Sequence, residues 1–154
     1  MLKRKHLQHT TYILMAILLV LAFLLSACGK TDAPVGDAAL APVSSLPQEM
    51  QAAPVNVREA YQFALANPEI LEQVPCYCGC DAIGHTSNFD CYIDEIGADG
   101  NAAFDAHALG CSICVDITHD VMRMLKDGNS VEQIRSTIDQ TYAQFGPSNM
   151  PPAP

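Results

Sequence analysis

The sequence predicts a mainly α domain, a small bundle of four to five short helices with a cysteine-rich loop packed on it. Three observations lead there. Two stretches, 111–125 and 131–145, carry apolar residues at the helical period. Asn, Pro, Ser and Gly stand where helices start and stop. Between and before these segments lie six cysteines, three of them within five residues at Cys76, Cys78 and Cys80.

The chain has 154 residues, but its N-terminal third is expected to do other work. Lys3, Arg4 and Lys5 form a basic start, followed by an apolar run from Tyr12 to Leu25 and then Leu25-Ser26-Ala27-Cys28. The run is short for a membrane span. The pattern is that of an export signal over residues 1–27, and its end resembles a bacterial lipobox. That resemblance implies cleavage before Cys28 and lipid on its sulfur, placing the protein at the extracytoplasmic face of a cell membrane. Residues 28–55, with Pro34, Pro42, Pro47 and Pro54, show no sustained period and read as a disordered tether. Its reach as a coil is on the order of 30 Å. The folded domain is then 56–146, and residues 147–154 read as a frayed tail. A domain of that size is marginal without disulfides or metal.

Within the domain, Asn56 is placed to cap a helix over 57–66, with Tyr61, Ala64 and Leu65 on its apolar side. Asn67-Pro68 stops it and starts a second helical turn, with Pro at the first position. Pro75 delivers the chain to Cys76-Tyr77-Cys78-Gly79-Cys80. Residues spaced by two share a side in extended chain but not in a helix, and Gly79 permits a bend, so the three thiols can wrap an ion. Residues 81–88 read as loop. The period over 89–96 does not decide between helix and strand, and 97–101 is a turn.

On a helical wheel for the next segment, Cys111, Cys114, Val115, Ile117, Thr118, Val121, Met122 and Leu125 share one broad arc, with Met124 at its edge. His119, Asp116, Asp120, Arg123 and Lys126 fall opposite, as a solvated face. If the helix extends back to His107, then His107, Cys111 and Cys114 form a column of donors at i, i+4 and i+7. Gly110 weakens that continuity. Gly128 ends the helix, and Ser130 with Gln133 forms a capping box for the last one. Val131, Ile134, Ile138, Tyr142 and Phe145 make its apolar face, and Gly146-Pro147 ends it.

The expected site is therefore a soft-metal centre of Cys76, Cys78, Cys80, Cys91, His107, Cys111 and Cys114, with His85 as a further donor. Copper(I) stands ahead of zinc, because six thiols exceed one tetrahedral zinc site while thiolates can bridge several soft ions. The net charge is −9, and −12 once the three leader cations are removed. Such a surface disfavours nucleic acid and favours cations. Binding and buffering of a metal, rather than catalysis, is the expected role.

Two other classes stay open. Six cysteines in an exported domain suit a disulfide-stapled interaction module, although Cys76, Cys78 and Cys80 are too close to pair with one another without strain. Cys111-x-x-Cys114 also suits a thiol–disulfide oxidoreductase. Haem attachment is disfavoured, since neither Cys80 nor Cys114 is followed by His.

Val74-Pro75-Cys76-Tyr77-Cys78-Gly79-Cys80 resembles the PCYCGC-motif lipoprotein family of bacteria. The likeness continues through Gly84-His85-Thr86-Ser87, Asp90-Cys91, His107 and Cys111-Ser112-Ile113-Cys114. It implies a lipid-anchored extracytoplasmic protein and brings no activity with it. Cys111-x-x-Cys114, Lys126-Asp127-Gly128-Asn129-Ser130 and the final helix also resemble the thiol-reductase domain of cytochrome c maturation. Four additional cysteines depart from that pattern.

Overall fold

The computed structural model describes residues 39–151. The expected export signal, Cys28 and the first part of the expected tether lie outside these residues. Six α-helices and one two-stranded sheet occur among them. In chain order they are α1 (Gln48–Gln51), α2 (Val55–Ala66), α3 (Pro68–Leu71), β1 (Ile93–Ile96), β2 (Ala102–Phe104), α4 (His107–Gly110), α5 (Ser112–Lys126) and α6 (Val131–Tyr142). Single 3-10 turns stand at Val43–Ser45, Cys80–Ile83 and Phe89–Cys91. The mainly α architecture with a cysteine loop against the helices is as expected. No helix among the described residues is long and apolar enough to cross a membrane.

The core lies between α2, α5 and α6. α5 packs on both of the others. It buries Cys114, Val115, Ile117, Thr118, Val121, Met124 and Leu125. The wheel placed Met122 inside and Met124 at the edge, and the packing exchanges them, leaving Met122 half-buried. α6 buries Ile134, Ile138 and Tyr142, whereas Phe145 lies past the helix end and is exposed. Both predicted ends of the α5–α6 turn are found. Gly128, at φ 82°, closes α5, with its N–H on the Leu125 carbonyl and that of Asn129 on the Met124 carbonyl. The Ser130 hydroxyl accepts from the Gln133 N–H while the Gln133 side chain accepts from the Ser130 N–H, a complete capping box.

Three expectations need correction, and one choice left open, the second below, is decided. First, α2 starts at Val55 behind Pro54, not after an Asn56 cap. Second, the segment 89–96 is a 3-10 turn followed by a strand, paired antiparallel with β2 through Ile93↔Phe104 and Ile96↔Ala102. Third, His107, Cys111 and Cys114 do not lie on one continuous helix. α4 stops at Gly110, Cys111 is extended at φ −118° and ψ 102°, and α5 begins at Ser112.

Fourth, the ordered chain is longer than 56–146 at both ends. Leu46 and Met50 are 4% and 1% exposed within the core. The Gln62 and Asn67 side chains donate to the carbonyls of Ala41 and Ala39. Proline-rich sequence without a period reads as tether, but two well-placed apolar side chains suffice to dock it. At the other end Arg135 donates to the Pro151 carbonyl, and Asn149 reaches the cysteine loop.

If residues 39–54 belong to the fold, Met50→Ala is expected to lower stability by about 2–5 kcal/mol, the usual cost of emptying a buried methionine position. A urea titration would show it as a lower midpoint at unchanged slope. An unchanged midpoint would return this segment to the tether.

Candidate metal centre

The centre is assembled from three places in the chain. The first is the 76–80 loop. α3 ends at Leu71, and the Asn88 N–H to the Val74 carbonyl fixes the loop's entry at 2.8 Å. Gly79 takes φ 79°, a conformation that L side chains resist, and turns the chain so that Cys80 opens a 3-10 turn. Tyr77 points away from the thiols and donates its hydroxyl to Asp139 of α6 at 2.5 Å. The second piece is Cys91, at the end of the Phe89–Cys91 turn. The third is the α4–α5 junction, where Cys111 is the N-cap residue of α5 and Cys114 lies in its first turn.

A buried polar cluster locks the second and third pieces together. The Tyr92 hydroxyl donates to the Cys114 carbonyl at 2.8 Å and lies 2.7 Å from the Thr118 Oγ1. Asn88 donates to the same Thr118 oxygen at 2.8 Å. The first turn of α5 therefore cannot move without the turn that carries Cys91. The edge-to-face contact of Tyr61 on Tyr92, with centroids 5.0 Å apart, backs this cluster from α2.

The sulfurs converge. Cys76 Sγ is 3.4 Å from Cys78 Sγ and 3.5 Å from Cys114 Sγ, and Cys78 and Cys114 are 3.6 Å apart. Cys80 and Cys91 are separated by 3.8 Å, and the His107 Nε2 is 3.4 Å from Cys78. The six cysteines among the described residues are free thiols, and these separations far exceed the roughly 2 Å of a disulfide. They approach the edge of a tetrahedron of thiolates around an ion with metal–sulfur bonds of about 2.3 Å, which is about 3.8 Å. Two groups of four donors fit one ion each: Cys76, Cys78, Cys80 and Cys91, and Cys78, His107, Cys111 and Cys114. Within each group the ligand atoms lie within 4.8 Å of one another, and Cys78 belongs to both.

Of the eight residues expected in the site, seven are thus brought together. His85 stands apart from both groups. It is buried, its Nε2 is 3.5 Å from Asp105 Oδ2, and its ring meets that of His107 edge-on at 5.3 Å. Asp105 in turn accepts the backbone N–H of His107 at 2.5 Å. His85 and Asp105 therefore hold His107 in place instead of adding a donor. His119, read as solvated, is half-buried and lies 2.9 Å from the Asn56 carbonyl oxygen, far from the thiols along α5.

The sequence reading passed over Asn149. Its Oδ1 accepts the Cys76 N–H at 2.7 Å, its own N–H reaches the Cys76 carbonyl at 3.1 Å, and its Nδ2 lies 3.7 Å from Cys80 Sγ. The same amide donates to the carbonyls of Ser87 and His85. The close approach of Gly146 to Tyr77, where a Cβ would sit 3.1 Å from the carbonyl oxygen, lets the chain turn back over the loop. Asp105 had a faint signal, an Asp two residues before His107. Asn149 had none in the periodicity.

Crowding sets the protonation of the thiols. Hydrogen bonds from Cys76, then Cys91, pull the Cys114 thiol down to about 6. Burial, then the neighbouring Cys76 charge, pushes Cys78 well above its ordinary range. Hydrogen bonding to Cys114, then to Cys76 and Cys80, does the same to Cys91. Cys76 is held low as well, so the cluster lowers Cys76 and Cys114 at the expense of Cys78 and Cys91, and further thiolates repel those already formed. A cation removes that repulsion.

Residues 17–154 match the model of a family described as proteins of unknown function with a PCYCGC motif. The chain belongs to that family. No curated protein and no solved structure matches it. The motif that names the family is thus the loop carrying three of the six converging thiols, and the matched region also takes in Cys91, His107, Cys111, Cys114 and Asn149.

Metal binding must displace protons from at least Cys78 and Cys91, whose thiols are held protonated at neutral pH. Affinity is accordingly expected to rise with pH, by about a hundredfold per unit if two protons leave together. Chelator competition between about pH 6 and 8 measures this slope. A flat profile would mean that the thiols are not the ligands.

Proposed function

We propose that this protein binds and buffers soft metal ions outside the cytoplasm, held to a membrane by lipid on Cys28. One observation carries the metal reading: two complete four-donor sets meet at the shared sulfur of Cys78. A chance cluster of core cysteines would not recruit an imidazole, nor set against its ring a second histidine that is itself paired with an aspartate. The export-like leader and the Leu25-Ser26-Ala27-Cys28 sequence support the location and the anchor.

The choice of metal follows from charge and donor number. Six thiolates around two divalent ions leave a formal charge of −2, and around two copper(I) ions −4. Among the described residues no Lys or Arg bonds a thiol of the cluster or His107, so the larger buried charge is the costlier one. Copper(I) reaches −2 only as a four-ion cluster. Copper(I) is favoured by the count of thiols alone. Two tetrahedral sets sharing one sulfur absorb that count with zinc, so zinc at two ions per chain becomes the first reading and copper(I) at four the second.

Thiol–disulfide exchange is the competing class. In its favour, Cys111 and Cys114 flank the N-terminus of α5, where the helix dipole favours a thiolate. Against it, the thiols held below their ordinary range are Cys114 and Cys76, both fully buried, whereas attack on a disulfide needs an accessible thiolate.

The reduced, metal-free protein titrated with zinc and with copper(I) against competing chelators should take up two zinc ions or four copper(I) ions. Metal should block all six thiols from a disulfide reagent, and Cys78→Ser should weaken both sets. Thiols that stay reactive at saturating metal would end the metal reading. For the anchor, Cys28→Ser is expected to abolish incorporation of labelled fatty acid and to move the protein from the membrane to the soluble fraction. Labelling that persists in the variant would place the lipid elsewhere, and a wild-type chain that takes up no label would end the anchor.

A further inference from the structure

The two donor sets differ in access. Of the set Cys76, Cys78, Cys80 and Cys91, the three unshared residues are 0%, 2% and 0% exposed. The segment carrying Asn149 lies over them, bonded to the backbone of Cys76 and reaching the sulfur of Cys80. In the other set Cys78, His107 and Cys111 are each only half-buried. They open between two exposed glycines, Gly79 and Gly110, beside which nothing lies within 4 Å of where a Cβ would stand.

Ligand exchange at a filled tetrahedral ion needs an incoming donor to approach the metal as an old one leaves. Closed sites resist that, and sites with an open side permit it. Resting on the metal-binding reading, we infer that the two sets form an inner store and an outer exchange port. The outer ion, on Cys78, His107, Cys111 and Cys114, is handed to or taken from a thiol- or imidazole-bearing carrier. The inner ion, on Cys76, Cys78, Cys80 and Cys91, is retained. Cys78 joins the two, so an inner ion can reach the carrier only through the outer position. Asn149 is a positioning residue for the store. It holds the Cys76 backbone in place and offers an N–H to the Cys80 sulfur, as partners of metal ligands commonly do.

The full-length chain, purified in detergent and loaded with two equivalents of zinc, is challenged with an excess of the chromophoric chelator 4-(2-pyridylazo)resorcinol. Release is expected in two phases of equal amplitude. His107→Ala should remove the fast phase and leave one slowly released ion. Asn149→Ala should accelerate the slow phase by about tenfold or more, the scale of effect seen when a ligand loses its hydrogen-bonded partner, with the fast phase unchanged. Release of both ions in a single phase overturns the store-and-port assignment while leaving metal binding in place. Loss of the slow ion in His107→Ala also overturns it. A wild-type chain that retains no zinc overturns this inference and the underlying reading together.

Discussion

The constraint on which the domain turns is the placement of one sulfur, Cys78, against ligands from both halves of the chain. It must sit 3.6 Å from Cys114 and 3.4 Å from His107 Nε2 while staying 3.4 Å from Cys76 on its own loop. Most of the polar contacts near the site serve that end. Gly79 turns the loop, the bond from Tyr77 to Asp139 anchors its outer side to α6, and Tyr92 with Thr118 fixes the first turn of α5. Without an ion, six thiols in this space oppose each other's ionisation. The fold then holds a site whose own electrostatics call for a cation.

Much of this was legible in the residues because it rests on local rules. The period of α5, the Gly128 stop and the Ser130–Gln133 box are short-range patterns, and they are present. The meeting of the loop with His107, Cys111 and Cys114 was also foreseen, although through a geometry that does not exist. A continuous helix would stack the three donors. The chain instead breaks at Gly110, and the extended Cys111 swings back to cap α5. The two geometries share the feature that matters, a common side facing Cys78, so the inference survived the loss of its premise.

What was not legible depends on contacts distant in sequence. Residues 39–54 carry no helical period, and only the burial of Leu46 and Met50 makes them part of the core. Asn149 lies in a run of Pro, Ser and Asn that has every mark of a frayed end, yet it bonds to Cys76, 73 positions earlier. His85 was assigned as a donor by its place in the cysteine-rich region. Its role behind His107 is set by Asp105, which the hairpin of β1 and β2 delivers, and no local pattern announces that. Single polar side chains that close a site over such spans leave no periodic trace.

The arrangement separates a sealed group of thiols from an accessible one while making them share an atom, and the net negative charge of the chain favours the approach of cations. Both features depend on two ions lying side by side. X-ray absorption at the zinc edge of the loaded protein tests this most directly. The account predicts a shell dominated by sulfur at about 2.3 Å, a minor nitrogen contribution from His107, and scattering from a second zinc nearby. A shell of nitrogen and oxygen, or an isolated zinc with no neighbouring metal at full loading, would contradict it.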